Sequence, residues 1–253
     1  MHLHTSLIKE EKVHIGNIPA ILFRPKEDKE KFPTIIFYHG WSSYKEAQRI
    51  RGLILATVGF QVLIPDAIYH GERNPIDYWK NTYKFWEVVF NNIEESSLLI
   101  EALVSKYDAD PDNISLIGHS MGGFTSAGIF TYNPKIKSVV ILNGSFAWDY
   151  YNQHLIKELD IEITDKLHEI GEKAKKLDPS NKLEALVDRP ILMLHGRSDS
   201  LVPVDNQRLF YQKIEPLYKD KEKIKLIEYP NLDHFVTTNM MEQSIIWFKK
   251  YGI

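Results

Sequence analysis

Residues 114–123 read ISLIGHSMGG, and this stretch indicates how the chain is built around it. Its first four residues have the short aliphatic pattern of a buried strand, and the residues after it have helical character. Between them Gly118, Ser120 and Gly122 form a G-x-S-x-G motif. This motif requires a strand that runs through a sharp turn into a helix. We therefore predict that Ser120 lies at the tip of a tight strand-to-helix turn.

Ser120 is predicted to be a nucleophile. The glycines on either side remove side chains that would collide in a tight turn, so the hydroxyl can project above the sheet. A helix N-terminus beneath it favours the negative charge that develops during attack. Because a serine hydroxyl is a weak nucleophile until a base takes its proton, a histidine is also required. The alternative is a glycine-rich turn with an idle serine.

The base and its acidic partner are predicted from chain order, which is serine, then acid, then histidine. Of the ten histidines, His234 follows the last predicted strand and precedes the last helix. Asp199 lies just beyond the strand before that one, where a carboxylate would hold the imidazole tautomer. Asp188 precedes its strand and is therefore at the wrong end of the sheet. Asp205 is predicted to be a helix N-cap, so Asp199 is favoured.

Two backbone N–H groups are needed to stabilise the oxyanion of a tetrahedral intermediate. One is predicted to be the N–H of Met121, directly after the serine. The other is predicted to be the N–H of Trp41, in the His39-Gly40-Trp41 stretch that follows a central strand. The side chain of His119, inside the motif, is expected to point away from Ser120.

Short strands alternate with longer amphipathic segments along the whole chain, which predicts one α/β domain over residues 1–253. The expected sheet is mostly parallel and has helices on both faces. Its first two strands flank Gly16-Asn17 and are predicted to form a hairpin. Pro19 lacks a backbone donor, so the second strand of the hairpin is expected at the sheet edge. The predicted strands are 13–15, 18–23, 34–38, 61–65, 114–117, 136–142, 191–194 and 224–227.

Residues 145–189 interrupt this alternation and carry no strand signal. Ile163, Leu167, Ile170 and Ala174 recur at helical spacing, with lysines and glutamates on the opposite face. We predict that 145–189 is a helical cap insertion whose apolar stripe faces the site. An ordinary pair of connecting helices is the alternative.

The composition excludes several classes of protein. The chain has no cysteine, which excludes a disulfide framework, a thiolate nucleophile and a zinc site with cysteine ligands. Its net charge of −3 gives no indication of a nucleic-acid partner. Neither a metal nor another cofactor is expected, since no H-E-x-x-H motif or clustered Asp/His spacing is present. No signal-peptide core or membrane-length apolar run is visible, so a cytoplasmic protein without a membrane partner is expected.

The sequence resembles the α/β-hydrolases, and within them the small bacterial serine esterases related to the prolyl oligopeptidase catalytic domain and to dienelactone hydrolase. The resemblance implies a Ser120–Asp199–His234 triad, an oxyanion hole from Trp41 and Met121, and a helical cap. The stretches that carry it are YHGW (38–41), PDAIYHGER (65–73), IGHSMGG (117–123), LHGRSDSLVP (194–203) and LDH (232–234).

One loop departs from the pattern of these esterases. The family loop after the second central strand reads D-x-x-G-x-G, whereas this chain has Asp66 followed by His70-Gly71-Glu72-Arg73. The resemblance therefore assigns no role in substrate contact to His70 or Arg73. A salt bridge that braces the loop is the favoured interpretation.

The function expected from these observations is a serine hydrolase that cleaves small-molecule carboxylic esters through an acyl-enzyme. The alternatives are a peptidase or acyl-amino-acid hydrolase of the prolyl oligopeptidase type, a thioesterase, and a non-catalytic ligand-binding protein on the same scaffold. The substrate-binding residues, the acyl and alcohol preference and the oligomeric state are left open, with a homodimer among the options.

Overall fold

An eight-stranded sheet forms the centre of the structure, a computed structural model that describes residues 7–158 and 164–252. The strand order is β1-β2-β4-β3-β5-β6-β7-β8. β2 is antiparallel to both of its neighbours, and all other neighbours are parallel. The predicted mostly parallel sheet is confirmed. The strands are β1 (Ile8–Ile15), β2 (Ile18–Pro25), β3 (Phe32–Tyr38), β4 (Gln61–Pro65), β5 (Ala109–His119), β6 (Val139–Leu142), β7 (Ile191–Gly196) and β8 (Ile224–Tyr229).

Helices cover both faces of this sheet, as predicted. One apolar core lies between the sheet and α2, α3 and α6, and a second lies between the sheet and α1 and α7. Successive residues of β3 enter opposite cores, because side chains alternate along a strand: Ile36 enters the first core and Phe37 the second. The helices are α1 (Arg49–Thr57), α2 (Phe85–Lys106), α3 (Met121–Tyr132), α4 (Trp148–Glu158), α5 (Asp165–Lys176), α6 (Asp205–Ile214) and α7 (Thr238–Tyr251). Within the described residues, no helix has the length and hydropathy needed to span a bilayer.

The predicted hairpin is present, with Ile15 opposite Ile18, but the prediction that its second strand lies at the sheet edge is wrong. β2 pairs with β4 on its other side, and β1 is the edge strand. Pro19 is tolerated because it precedes the first β2–β4 pair, where its carbonyl still accepts from the Asp66 N–H at 2.9 Å. The carbonyl of Asp66 accepts a hydrogen bond from Arg73 Nη1 at 3.1 Å.

The predicted insertion forms α4 and α5. In α5 the described stripe residues Leu167 and Ile170 lie beside Trp86 of α2 and Leu155 of α4, around a cavity of about 30 Å³. Ile163 lies outside the described residues. Ala174, the remaining described residue of the stripe, is buried in the same apolar cluster as Trp86. The described part of the stripe is therefore covered by the protein's own helices rather than open toward the site as predicted. α4 is the part of the insertion that extends toward the site, as described below.

Candidate active site

Ser120 lies at the turn between β5 and α3 with φ 54° and ψ −120°, a region that residues other than glycine rarely occupy. The two neighbouring glycines are required by space. A Cβ on Gly118 would lie 1.9 Å from the Gly122 carbonyl oxygen, and a Cβ on Gly122 would lie 2.0 Å from the Tyr38 carbonyl oxygen. The chain therefore packs against β3 at this point, and the predicted sharp strand-to-helix turn is present.

Asp199 and His234 are brought together by the loops after β7 and β8. Asp199 Oδ2 accepts a hydrogen bond from His234 Nδ1 at 2.8 Å, and Oδ1 accepts from the N–H groups of Leu201 (3.0 Å) and Val202 (2.8 Å). Burial by itself raises the pKa of the Asp199 carboxyl, but hydrogen bonds from His195, His234 and the Val202 N–H hold that pKa well below its usual range. Asp199 is therefore a carboxylate that fixes the proton on His234 Nδ1.

The two competing acids lie elsewhere. Asp205 is the first residue of α6 and forms a salt bridge with Arg208 at 2.9 Å. The prediction that Asp205 is the N-cap is wrong, because Val204 occupies that position and α6 has no side-chain cap. Asp188 accepts from the Lys219 N–H at 2.9 Å, in the turn that precedes β7.

The loop that carries His234 is fastened to the loop that carries Asp199. Asp233 Oδ1 accepts from the N–H of His234 and from both the N–H and the hydroxyl of Ser200, at 2.8 to 2.9 Å. Asn143, at the end of β6, donates to the Phe235 carbonyl and accepts from the Gly196 N–H, both at 3.0 Å. No pattern in the sequence indicates this role for Asn143.

The His119 ring packs beside His234, with the ring centroids 5.0 Å apart. The expectation for His119 concerned only Ser120 and did not include this contact. Burial, with smaller contributions from His234 and Arg51, holds the pKa of His119 well below its usual range, so the ring is neutral. In the described part of the chain, no hydrogen bond joins Ser120 Oγ to His234. Such bonds are commonly long before substrate binds.

The loop after β3 lies against Ser120. A Cβ on Gly40 would lie 3.2 Å from Ser120 Cβ. The backbone N–H groups of Trp41 and Met121 have no acceptor among the described residues, so both are available as donors. Met121 directly follows Ser120, and Trp41 directly follows Gly40, so the oxyanion hole from these two N–H groups stays a prediction that this packing is compatible with. The indole of Trp41 is held separately, since its Nε1 donates to the Tyr78 carbonyl at 3.2 Å.

His39 holds this loop in place. Its Nε2 accepts from the Ala67 N–H at 3.1 Å, which places the ring proton on Nδ1, 2.9 Å from the Gly40 carbonyl oxygen. Burial lowers the pKa of His39, so the ring stays neutral and can accept as well as donate.

A buried ion pair joins the same loop to the loop after β4, which departs from the family pattern. Lys45 Nζ lies 2.6 Å from Asp66 Oδ2, and the Lys45 N–H donates to Asp66 Oδ1 at 2.9 Å. The Glu72 N–H donates to Asp66 Oδ2 at 3.1 Å. Gly71 has φ 54°, and a Cβ there would lie 2.2 Å from that carboxylate. The PDAIYHGER loop is therefore folded around Asp66.

The structure gives His70 and Arg73 positions in this loop. Arg73 forms a salt bridge with Glu95 at 2.6 Å in addition to its bond to the Asp66 carbonyl, in agreement with the favoured bracing interpretation. His70 is buried, stacks on Tyr78 at 4.8 Å and meets the Trp41 ring edge-on at 5.1 Å. Burial, together with a smaller contribution from the neighbouring His39, lowers the pKa of His70 to about 4.

His195 is a residue of the site that sequence reasoning missed. It is fully buried on β7, and its Nε2 lies 2.7 Å from the Val202 carbonyl oxygen and 3.3 Å from Asp199 Oδ2. It therefore lies against the same carboxylate oxygen that accepts from His234 Nδ1. The only sequence signal for it is its place four residues before Asp199, at the end of a buried strand.

Comparisons with known proteins agree with this architecture. The prolyl oligopeptidase family (Peptidase_S9) matches residues 51–251. The protein YitV of Bacillus subtilis (strain 168) is 32% identical over 254 residues, which cover 97% of this chain and 100% of YitV. Esterase YjfP of Escherichia coli (strain K12) is 26% identical over 249 residues, with the same coverage. The crystal structure of TT1662 from Thermus thermophilus superposes with a TM-score of 0.77 at 19% identity, over 96% of this chain and 97% of that one. By its fold and by the match over most of its length, the chain is an α/β-hydrolase that belongs to the prolyl oligopeptidase family.

Proposed function

We propose that the protein is a serine hydrolase that cleaves small-molecule carboxylic esters through an acyl-enzyme intermediate. Ser120 is the nucleophile, His234 the general base and Asp199 the residue that orients it. The observation that carries the proposal is the 2.8 Å hydrogen bond from His234 Nδ1 to a buried, fully paired carboxylate, in a loop that packs beside the strained serine turn.

The reaction begins when Ser120 Oγ attacks the ester carbonyl carbon and its proton passes to His234 Nε2. Asp199 keeps the other ring proton on Nδ1, so Nε2 carries the lone pair. The negative charge of Asp199 then stabilises the imidazolium that forms. The carbonyl oxygen becomes an oxyanion, which accepts hydrogen bonds from the N–H groups of Trp41 and Met121.

The intermediate collapses when the carbon–oxygen bond to the alcohol breaks and His234 Nε2 gives its proton to that alcohol. Water then attacks the acyl-enzyme by the same route, with His234 as the base. The carboxylic acid is released, and Ser120 recovers its proton.

Ester cleavage is favoured over peptide cleavage because every buried carboxylate of the described residues already has a partner within the protein. A peptidase that removes residues from a free N-terminus needs a carboxylate to bind the substrate ammonium group. An acyl-amino-acid hydrolase has no such need, because its substrate amine is acylated, so the anilide assay below tests that alternative. The buried carboxylates of the described residues are Asp66, Asp178 and Asp199, and each is occupied internally. Asp66 binds Lys45, Asp178 accepts from backbone N–H groups, and Asp199 binds His234. The name of the Escherichia coli relative, an esterase, agrees with this preference.

Four further parts of the proposal concern the setting of the reaction. The chain acts as one domain, in the cytoplasm, on small molecules rather than on nucleic acid or membrane. Residues 145–189 act as a cap. Support for the cap comes from α4, whose buried Tyr151 packs against Phe124 of α3 at 4.6 Å. The Asp199 carboxylate, after burial, contributes to the raised pKa of Tyr151, so this ring lies within electrostatic range of Asp199.

The proposal is tested with p-nitrophenyl esters from acetate to decanoate, beside acetyl-alanine p-nitroanilide as the amide substrate. We expect turnover of the esters and a single fluorophosphonate label, with both lost in Ser120→Ala and both retained in Ser97→Ala, which removes an exposed hydroxyl from α2. Turnover of the anilide in preference to all esters would identify a peptidase. Labelling of Ser120→Ala equal to that of wild type would refute the assignment of the nucleophile.

A further inference from the structure

An apolar cavity of about 560 Å³ lies between α1 and α7, beside the loop that carries His234. This volume is in the range of small-molecule sites. Two of its lining residues, Ile50 and Ile246, are each 55% exposed, which leaves apolar surface open to water. The apolar lining consists mainly of Ile50, Ile54, Val236, Met241, Ile245 and Ile246.

Arg51 is the cation of this cavity. It is half-buried, and its Nη1 donates to Gln48 Oε1. Burial lowers the pKa of Arg51, because the charged form loses solvation. Within residues 7–158 and 164–252, no carboxylate lies within 4.0 Å of its guanidinium.

The other arginines of the described chain are all better compensated. Five of them form salt bridges: Arg24, Arg49, Arg73, Arg197 and Arg208. The sixth, Arg189, donates to four backbone carbonyls. Arg51 therefore stands apart, since its only protein acceptor in the described residues is a neutral amide on the preceding turn. A half-buried cation of this kind is ready to accept an anion.

Two threonines of the lining favour the same anionic ligand, and Glu242 is the lining group that opposes it. Thr237 and Thr238 line it at the N-terminus of α7, where the helix dipole adds to the positive potential. Glu242 is the carboxylate of the lining; it accepts from Asn239 Nδ2 at 3.1 Å and makes no salt bridge with Arg51. An acidic group on a hydrocarbon chain would match the guanidinium and the apolar wall at once.

The cavity adjoins the proposed active site. Val236 and Thr237 follow His234 by two and three residues. Arg51 is close enough to His119 for its charge to act on that ring, which packs against His234. The cavity is on the α1 and α7 side of His234, whereas the α4–α5 insertion is packed with α2 and α3.

We propose that the α1–α7 cavity binds a carboxylate carried on a hydrocarbon chain, with the carboxylate on Arg51 and the chain along Ile50, Ile246 and Met241. Two kinds of molecule with the same chemistry can supply this carboxylate. It is either the far end of an ester of a dicarboxylic acid or the free acid that ester cleavage releases. The choice between the sources rests on the proposed function, whereas binding itself can be measured without turnover.

Binding is tested by calorimetric titration of decanoate into Ser120→Ala protein, which cannot turn over esters under the proposed function. We expect the Kd of decanoate to rise about tenfold or more in Ser120→Ala/Arg51→Gln, because a charge-assisted hydrogen bond is lost. Arg51→Lys should retain part of the affinity. Ile246→Ser should also weaken binding, whereas Leu217→Ser, at a half-exposed leucine outside the cavity, should leave it unchanged.

Two kinetic measurements distinguish the sources in protein that carries Ser120. If the carboxylate belongs to the substrate, Arg51→Gln raises the KM of the mono-p-nitrophenyl ester of sebacic acid and not that of p-nitrophenyl decanoate. If it is the free acid, decanoate inhibits hydrolysis of p-nitrophenyl butyrate in wild type and loses this effect in Arg51→Gln. Either result supports the site.

The proposal is overturned if decanoate fails to bind, if Arg51→Gln binds it as tightly as the parent, or if decyltrimethylammonium binds equally well. Failure of the proposed function would look different. No ester would then be turned over, while the titration result with decanoate would still stand.

Discussion

Lys45 and Asp66 form an ion pair that is closed to water, with 2.6 Å between Nζ and Oδ2 and side chains that are 1% and 0% exposed. The pair joins the loop that carries the Trp41 N–H to the loop that carries His70 and Arg73. The Lys45 ammonium also reaches Glu72 at 2.6 Å. Burial lowers the pKa of Lys45, but the hydrogen bonds to Asp66 and Glu72 outweigh burial, and the net shift is upward. The loop beside Ser120 is therefore held by charge as well as by packing.

Removal of one partner of this pair is expected to be costly. Lys45→Met leaves the Asp66 carboxylate buried and unpaired, so unfolding free energy should fall by about 3–5 kcal/mol. Lys45→Met/Asp66→Leu should recover much of this loss, since no unpaired charge remains. Urea unfolding at pH 7 measures both. Lys12→Met, at a lysine that is 59% exposed, is the control and should change stability by about 1 kcal/mol at most. Equal effects of Lys45→Met and Lys12→Met would contradict this account.

Asp199→Asn is expected to reduce kcat by up to ~10⁴-fold, as the serine protease precedent implies, because an amide supports the wrong imidazole tautomer. Asp205→Asn should leave kcat nearly unchanged, since Asp205 is 63% exposed and its partner is Arg208. Hydrolysis of p-nitrophenyl butyrate by the two variants measures the difference. The assignment of the acid is wrong if the two outcomes are exchanged.

The buried His70 should make stability depend on pH. The pKa of His70 is about 4 in the folded chain, against an ordinary value of 6.5. The unfolded chain takes up this proton as pH falls below 6.5, while the folded chain does not until about pH 4. The stabilising contribution is therefore complete above pH 6.5 and is lost as pH falls toward 4. Between pH 7.5 and 5.0 the loss should be about 2 kcal/mol.

Urea unfolding of His70→Phe at these two pH values tests that expectation. The variant should show a smaller fall in stability than wild type, because the titrating ring is absent while an aromatic ring still faces Tyr78. His14→Gln, at an exposed histidine of β1, should behave as wild type does. An unchanged pH dependence in His70→Phe would assign the effect to other groups.

Tyr151→Ala tests the cap. The Tyr151 ring packs against Phe124 and Phe85, at 4.6 and 5.5 Å, in the apolar cluster that also contains Met121. Its loss should weaken turnover of p-nitrophenyl decanoate far more than that of the acetate. Tyr150→Ala, on the same helix but 46% exposed, is the matched control. Because a large core ring is removed, Tm is measured in parallel. An equal loss for both esters together with a fall in Tm would indicate ordinary core packing.

The elements that carry the proposed chemistry were predictable because local patterns determine them. The bounds of β4 agree with the predicted strand at 61–65, since a short aliphatic run is closed by Pro65 and preceded by Gly59. The order of Ser120, Asp199 and His234 along the chain could be predicted because parallel strands deliver their carboxyl ends to one edge of the sheet.

The supporting contacts could not be predicted, because they join residues that the sequence does not relate. Lys45 and Asp66 are 21 positions apart, and a lysine is ordinarily expected to be solvated. The missing N–H of Pro19 predicts an edge strand, but Pro19 lies just before the first β2–β4 pair, where no N–H donor is needed. The role of His195 depends on how the chain turns at Val202, which no periodicity encodes.

The hydrogen bonds of Asp233 have a consequence for the exchange of parts between relatives. Asp233 joins Ser200 to His234. The N–H groups of Arg197 and Ser198 donate to the carbonyls of Tyr229 and Leu232, so hydrogen bonds connect the two loops at several positions. A graft of one loop alone would have to reproduce the backbone path that aligns these N–H and carbonyl groups, and it would separate the Asp233 carboxylate from the Ser200 hydroxyl that it binds. Residues 196–202 and 229–235 therefore form a single transplantable unit, and chimeras should keep both from the same parent.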